Sequence, residues 1–260
     1  MIQIVPTITA YTPADFATEL SRLNFASRLH IDIADGDFAP SRTVNLNQIY
    51  WDNFRENPTN NHSKQSEKSS RIIDLHLMLR DPLNWLHQII SLNPSLAIFH
   101  AEINEPRQNL PKIREHLAKF QIKFGVAILP ETHVENIREI IEIADHVLIF
   151  AGHLGFQGGA ADLAQLAKVA EIRAIWQEIN EKACENSTQR EKSQPADFSE
   201  RGRIFFRESK VIAWDGGANA ENIREIAKSG VDVINVGSAI SKSENPEKEY
   251  QKLLNEVENV

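Results

Sequence analysis

Three short strand-like runs carry side chains able to bind a metal ion or move a proton. In LHIDIADG, beginning at Leu29, residues His30, Asp32 and Ala34 share one face, because side chains on an extended chain alternate with period two. The same parity in DLHLM aligns Asp74, His76 and Met78, and in VIAWDGG Asp215 ends an apolar run just before two glycines. Taken singly, a strand histidine is most often a hydrogen-bonded core residue, and a strand-end aspartate is most often a turn residue. Two imidazoles and two carboxylates removed from water together are another matter, since that is costly without a cation to share. His30, Asp32, His76 and Asp215 therefore read as the ligands of one divalent metal cation. The mixed nitrogen and oxygen set suits Zn(II), Fe(II), Mn(II) or Co(II) and does not select among them.

Glycine-rich loops form the second group. HLGFQGGA from His153, DGG from Asp215 and VGSA from Val236 follow three consecutive strand-like runs. One such loop alone is simply a tight turn. Three together at one barrel mouth form a phosphate site, in which backbone N–H groups and a helix N-terminus hold the anion. None of the loops contains Lys or Arg, so a phosphate would rest on backbone donors and Ser238. The residues assigned to it are Gly155, Phe156, Gly158, Gly159, Gly216, Gly217, Gly237 and Ser238.

These groups need a scaffold that brings strand ends together. Eight β-branched runs alternate with helix-period segments: Ile2 to Ile8, Arg28 to Ile33, Arg71 to Met78, Leu96 to Glu102, Lys123 to Leu129, His146 to Ala151, Lys210 to Trp214 and Val231 to Val236. That alternation is the pattern of βαβ units, and its count predicts an α/β protein with a closed (β/α)8 TIM barrel rather than an open sheet. Thr12-Pro13, Asp81-Pro82 and Asn245-Pro246 each place a capping side chain before a proline at the first helical position. Thr12 with Asp15, and Thr132 with Glu135, have capping-box spacing. Val134, Ile137, Ile140 and Ile141 form the apolar stripe of a helix lying on the sheet. Two polar stretches break the alternation, at about 56–70 and 184–203, and are expected to be mobile surface insertions in a single domain spanning 1–260.

Composition sets the outer bounds. The chain has 260 residues, 42% hydrophobic and 25% charged, which excludes collagen, a disulfide scaffold and wholesale disorder. Its net charge of −8 and lack of a basic block argue against nucleic acid and anionic membrane as partners. The longest apolar stretches, such as Val147 to Ala151, are far short of the roughly 18 residues of a membrane-spanning helix. Cys184 is the single cysteine, and the first 20 residues hold no Lys or Arg for a signal peptide, so the expected location is cytoplasmic.

Read in order, the motifs resemble the ribulose-phosphate 3-epimerase family. VPTITAYTPADF resembles its Pro-Ser-Ile-Leu-Ser-Ala-Asp opening, LHIDIADGDFAP its His-x-Asp-x-Met-Asp-Gly-x-Phe-x-Pro motif, and DLHLM its second histidine motif. FHAEI, FGVAILPET, LGFQGG, WDGGANAENI and VGSAI follow in the family's order, so the likeness runs from Ile2 to about Ile240 apart from the two polar stretches. The resemblance implies an isomerase of the pentose phosphate pathway whose divalent metal is held by His30, Asp32, His76 and Asp215. Asp32 and Asp215 would exchange a proton at the third carbon of a ketose phosphate, converting D-ribulose 5-phosphate to D-xylulose 5-phosphate. Thr7, in place of the family's substrate-facing serine, and His76 would contact the substrate.

The alternatives are a six-carbon substrate, allulose 6-phosphate, or a catalytically weak barrel kept for phosphosugar binding or interaction. The expected partner is the phosphosugar, with a homo-oligomer left open. The chain departs from the family at Ala34 and Phe150, which stand where methionines usually surround the reacting carbon. It departs again at Leu129, which stands for an asparagine, at His153-Leu154, which stand for Asn-Pro, and at Gln157, which lengthens the glycine loop.

Overall fold

The computed structural model describes residues 2–49, 71–103, 109–156, 158–193, 210–258 and 260. Its strands are β1 (Gln3–Ile8), β2 (Arg28–Ala34), β3 (Ile72–Met78), β4 (Leu96–His100), β5 (Lys123–Ile128), β6 (His146–Phe150), β7 (Val211–Asp215) and β8 (Val233–Val236). They pair in sequence order, all parallel, and β8 closes on β1, so the sheet is the eight-stranded barrel that the alternation predicts. Helices α1 (Pro13–Arg22), α2 (Leu86–Leu92), α3 (Asn109–Ala118), α4 (Arg138–Ile143), α5 (Ala167–Ser193), α6 (Ile223–Lys228), α7 (Ser238–Ser241) and α8 (Pro246–Glu258) follow or lie between the strands. Among the described residues no helix is long and apolar enough to cross a membrane.

Strand parity separates two apolar regions. Val5, Leu96, Ile98, Ala127, Leu148, Ala213 and Val233 form a cluster of their own, apart from the larger core that includes Leu29, Ile31, Leu75, Phe99, Ile149 and Trp214. The first set is the barrel interior; the second is the layer between sheet and helices. Continuing the interior parity toward the strands' C-terminal ends gives His100 after Ile98, Phe150 after Leu148, Asp215 after Ala213 and Asn235 after Val233. The interior thus passes from apolar to polar along the barrel axis.

Local signals agree with the structure in part. Thr12 and Asp15 form the reciprocal capping box at α1, and the Asn245 side chain accepts from the Lys248 amide at 3.0 Å at the start of α8. Asp81 makes no capping hydrogen bond to the single 3-10 turn Pro82–Trp85. The expected Thr132–Glu135 box does not form either: the Thr132 side chain bonds Glu102, and His133 precedes the turn Val134–Ile137 without a side-chain cap. A buried carboxylate with its own need for donors outcompetes the local motif. The stripe Val134, Ile137, Ile140 and Ile141 is buried as expected.

Of the two polar stretches, 56–70 and 194–203 lie outside the described residues, as does Gln157. Residues 184–193 do not leave the helix: they continue α5 to Ser193. Glu, Gln, Arg and Lys are good helix formers, so a polar run needs no apolar stripe of its own when the preceding turns are docked. Those turns are docked through Val169, Ile172, Ile175 and Trp176, all buried. The Trp176 indole donates to the Ile141 carbonyl at 3.0 Å, and Lys210 Nζ lies 5.1 Å from its ring. Trp176→Ala should lower stability by about 3–5 kcal/mol in urea unfolding; a loss below about 1 kcal/mol would show that α5 is not anchored there.

Candidate metal centre and active site

Adjacent strands set the first pair of groups side by side, since Asp32 of β2 is in register with His76 of β3. His30 lies one inward position deeper, and Asp215 arrives from β7 across the interior. Ligand atoms of His30, Asp32, His76 and Asp215 all lie within 4.8 Å of one another. His76 Nδ1 is 3.0 Å from Asp32 Oδ1 and 3.6 Å from Asp215 Oδ2, while His30 Nε2 is 3.5 and 3.6 Å from the same two oxygens. Both rings are fully buried, and neither nitrogen of His30 has a hydrogen-bond partner. Buried imidazole nitrogens are rarely left unpaired. Orphaned ring atoms aimed at two carboxylate oxygens fit a divalent cation shared by all four side chains.

The electrostatics agree. Burial pulls the His30 imidazole down, but Asp215 and Asp32 outweigh it and push its pKa up to about 10. Burial raises Asp32, yet His30 and His76 more than offset this and hold its carboxyl well below the usual range. Without a metal ion, the proton on His30 offsets part of the aspartates' charge. Binding a cation must displace that proton, because an imidazole ligand is neutral. Metal affinity should therefore rise about tenfold per pH unit up to about pH 10, with proton release seen by calorimetry in buffers of different ionisation heat. Affinity independent of pH across 6–9 would contradict the assignment of His30.

Sequence reading missed the groups that orient this cluster. Thr9, just beyond β1, donates its hydroxyl to Asp32 Oδ2 at 2.7 Å, which turns Oδ1 toward the imidazoles. Behind His76, its Nε2 lies 2.9 Å from His100 Nε2, and His100 Nδ1 lies 3.3 Å from Glu102 Oε2. Glu102 also accepts from the Leu129 amide at 2.9 Å, and Lys168 of α5 ties down the Leu129 carbonyl at 2.7 Å. Burial raises Glu102, but its donors His100, Thr132 and Leu129 lower it further, while burial lowers His100. An ionised Glu102 beside a neutral His100 fixes the proton order: His100 Nδ1–H donates to Glu102, and His76 Nε2–H donates to His100. His76 Nδ1 is left facing Asp32 Oδ1 at 3.0 Å. The FHAEI motif held this information, but parity shows only that His100 faces inward. His100→Phe should weaken metal binding by about 10–100-fold in chelator competition. An unchanged affinity would leave His100 a packing residue.

A cavity of ≈ 290 Å³ opens over the cluster, lined by Asp32 and Asp215 together with Thr7, Thr9, Phe150, Gly152, Asn219 and Asn235 and by the glycine loops. Of the residues assigned to substrate, it is lined by Thr7, Phe156, Gly158, Gly159, Gly216, Gly217, Gly237 and Ser238. His76 and Gly155 are not on its wall. His76 sits fully buried within the cluster, and the Gly155 carbonyl accepts a hydrogen bond from the Ser41 hydroxyl. Gly216 and Gly217 have a packing role as well as an exposed backbone. At φ +116° and +64°, a Cβ on either would lie 2.3 Å from the backbone nitrogen of Gly152 or Ala161.

Phe150 is in register with Asp215 and its ring centroid is 5.9 Å from that of His76. Ala34 lies away from the cavity, in a small apolar cluster with Ala39 and Met78. A larger hollow of ≈ 500 Å³ lies beyond the ends of β2 and β3, between Asp35, Arg42, Gln48 and Trp85, and contains none of the titratable cluster.

Fold and site together define a parallel (β/α)8 barrel with a two-histidine, two-aspartate centre at its C-terminal mouth. The chain belongs to the ribulose-phosphate 3-epimerase family, whose model matches residues 3–186. It is 24% identical over 254 residues to the ribulose-phosphate 3-epimerase of Helicobacter pylori strain J99, covering 98% of this chain and 97% of the relative. It is 26% identical over 228 residues to that of Aquifex aeolicus, covering 88% and 83%. Among solved structures it is similar in fold to KGPDC from Streptococcus mutans, with a TM-score of 0.64 at 8% identity over 100% of this chain and 99% of the other. It is also similar to 3-hexulose-6-phosphate synthase from Salmonella typhimurium, with a TM-score of 0.59 at 11% identity over 99% of each chain. It is thus an isomerase of the epimerase type acting on carbohydrates.

Proposed function

We propose that the protein is a metal-dependent 3-epimerase of a ketose phosphate, with D-ribulose 5-phosphate and D-xylulose 5-phosphate as its pair. The observation that carries this reading is the placement of two carboxylates, Asp32 from β2 and Asp215 from β7, on the wall of one cavity above the same two imidazoles. Epimerisation needs a base on one face of the carbon beside the carbonyl and an acid on the other. One aspartate takes the proton from the third carbon, leaving an enediolate with its charge on oxygen. The other returns a proton to the opposite face, which inverts that carbon.

His30, Asp32, His76 and Asp215 would hold the divalent cation, which when bound supplies several kcal/mol of stabilisation for negative charge developing on oxygen. The phosphate would lie against the backbone donors of Gly158, Gly159, Gly217 and Gly237 and the Ser238 hydroxyl, with Thr7 near the sugar. Phe150 favours the five-carbon sugar over allulose 6-phosphate, because it lines the cavity beside Asp215, whereas Ala34 borders the separate hollow of ≈ 500 Å³.

The test is incubation with ribulose 5-phosphate in heavy water, following deuterium entry at the third carbon and formation of the epimer. Asp32→Asn and Asp215→Asn should each lower turnover by about 10²–10⁴-fold, with metal content measured beside rate. A variant with full metal and near-normal turnover would refute the acid–base pair. A wild-type protein that binds the sugar without exchange would instead favour the catalytically weak barrel.

A further inference from the structure

Strand β8 reads Val-Ile-Asn-Val, and only its third residue is polar. Asn235 shares the inward parity of Val233 and Gly237, pairs in register with Asp215 on one side and Val5 on the other, and is only 2% exposed. Its amide offers two donors and an acceptor, yet neither Nδ2 nor Oδ1 has a hydrogen-bond partner. The side chain lines the cavity between Asp215 and the loop carrying Gly237 and Ser238. The Thr7 hydroxyl, 2% exposed and also without a partner, lines the same cavity.

An unpaired buried amide lowers stability. A valine or leucine would suit a barrel-interior strand position at no such cost. Other unpartnered buried atoms lie elsewhere, on Glu19, Arg71, Asp74, Gln88 and His146, but those of Asn235 and Thr7 belong to residues on the wall of the cavity over the carboxylates, where a ligand can complete them. The charged members of this cavity are both carboxylates, and its loops present backbone donors. The Asn219 amide in the same cavity is already bonded to Gly217 and Glu221 and the Thr9 hydroxyl to Asp32, so Asn235 is the neutral amide beside Asp215 left able both to donate and to accept, as a sugar hydroxyl requires.

We infer that Asn235 is a substrate-binding and specificity-determining residue, holding an oxygen of the ketose chain next to Asp215. The inference rests on the epimerase reading for the identity of the ligand. It places recognition of the sugar apart from recognition of the phosphate, one strand position pair deeper than Gly237. A site built to hydrogen-bond a substrate oxygen penalises ligands that leave its amide unpaired, so Asn235 discriminates hydroxylated chains from deoxygenated ones.

Function and stability should respond in opposite directions, which separates this role from a structural one. Metal-loaded wild-type protein, Asn235→Leu and Asn235→Ala are titrated calorimetrically with ribulose 5-phosphate and with inorganic phosphate, and their Tm values are measured. The expected result is at least a tenfold rise in the sugar phosphate Kd in both variants, with unchanged affinity for inorganic phosphate and unchanged metal content. The Tm of Asn235→Leu should equal or exceed that of the wild type, because the unpaired amide is gone; if that variant does not fold, Asn235→Ala carries the comparison.

Unchanged sugar phosphate binding, or equal weakening toward both ligands, overturns the role of Asn235. Wild-type protein that binds the sugar phosphate without epimerising it overturns the epimerase reading alone. Wild-type protein that does not bind it overturns both.

Discussion

The structure is organised around two carboxylates that cannot separate. Asp32 and Asp215 come from strands three places apart around the closed barrel, yet both aim an oxygen at the fully buried rings of His30 and His76. Like charges drawn together in a low-dielectric place repel strongly unless something positive lies between them. In the metal-free chain, the raised pKa of His30 meets part of that demand. A divalent cation would meet it more completely, and the chain of contacts from Glu102 through His100 to His76 holds the second ring in place at the same point.

Holding such a centre requires a rigid frame. The barrel supplies it: β7 adds Ala213 to the apolar plug of Val5, Leu96, Ile98, Ala127, Leu148 and Val233, while β2 and β3 are tied together below their ligands by the Arg28–Asp74 ion pair at 2.8 Å. The outer layer adds constraint from the helices: Lys168 of α5 fixes the turn after β5 that in turn holds Glu102. The glycines after β6 and β7 let two loops touch backbone to backbone, and on the proposed reading their N–H groups would hold the phosphate without cationic side chains. In a chain with net charge −8, an anionic substrate would be attracted locally by these donors and by the bound cation, with no help from the overall field.

One departure from the family pattern, Phe150, and the unpaired Asn235 both lie beside the strand that carries Asp215. Phe150 stands against His76 and beside Asp215, and Asn235 stands on the next strand. Ala34, which looked equally important in the linear motif, falls among Ala39 and Met78 and borders the larger hollow rather than the cavity over the carboxylates. On the proposed reading, the wall made by β6, β7 and β8 would be where this chain meets its sugar.

Period-two alternation and β/α alternation are local properties, and they sufficed to place eight strands within one or two residues and to put His30, Asp32, His76 and Asp215 on inward faces. The sequence by itself determined the architecture and the chemical type of the centre, because each depends on spacing along one segment and on the desolvation cost of side-chain types. It misplaced the Thr132 cap and ended α5 early, since a competing tertiary acceptor and helix-forming polar residues leave no local mark. Thr9, the Glu102–His100 pair and Asn235 were decided only by the closed barrel. Their roles depend on which atoms of distant strands meet, and on which buried donors and acceptors are left without a partner on the wall of the cavity.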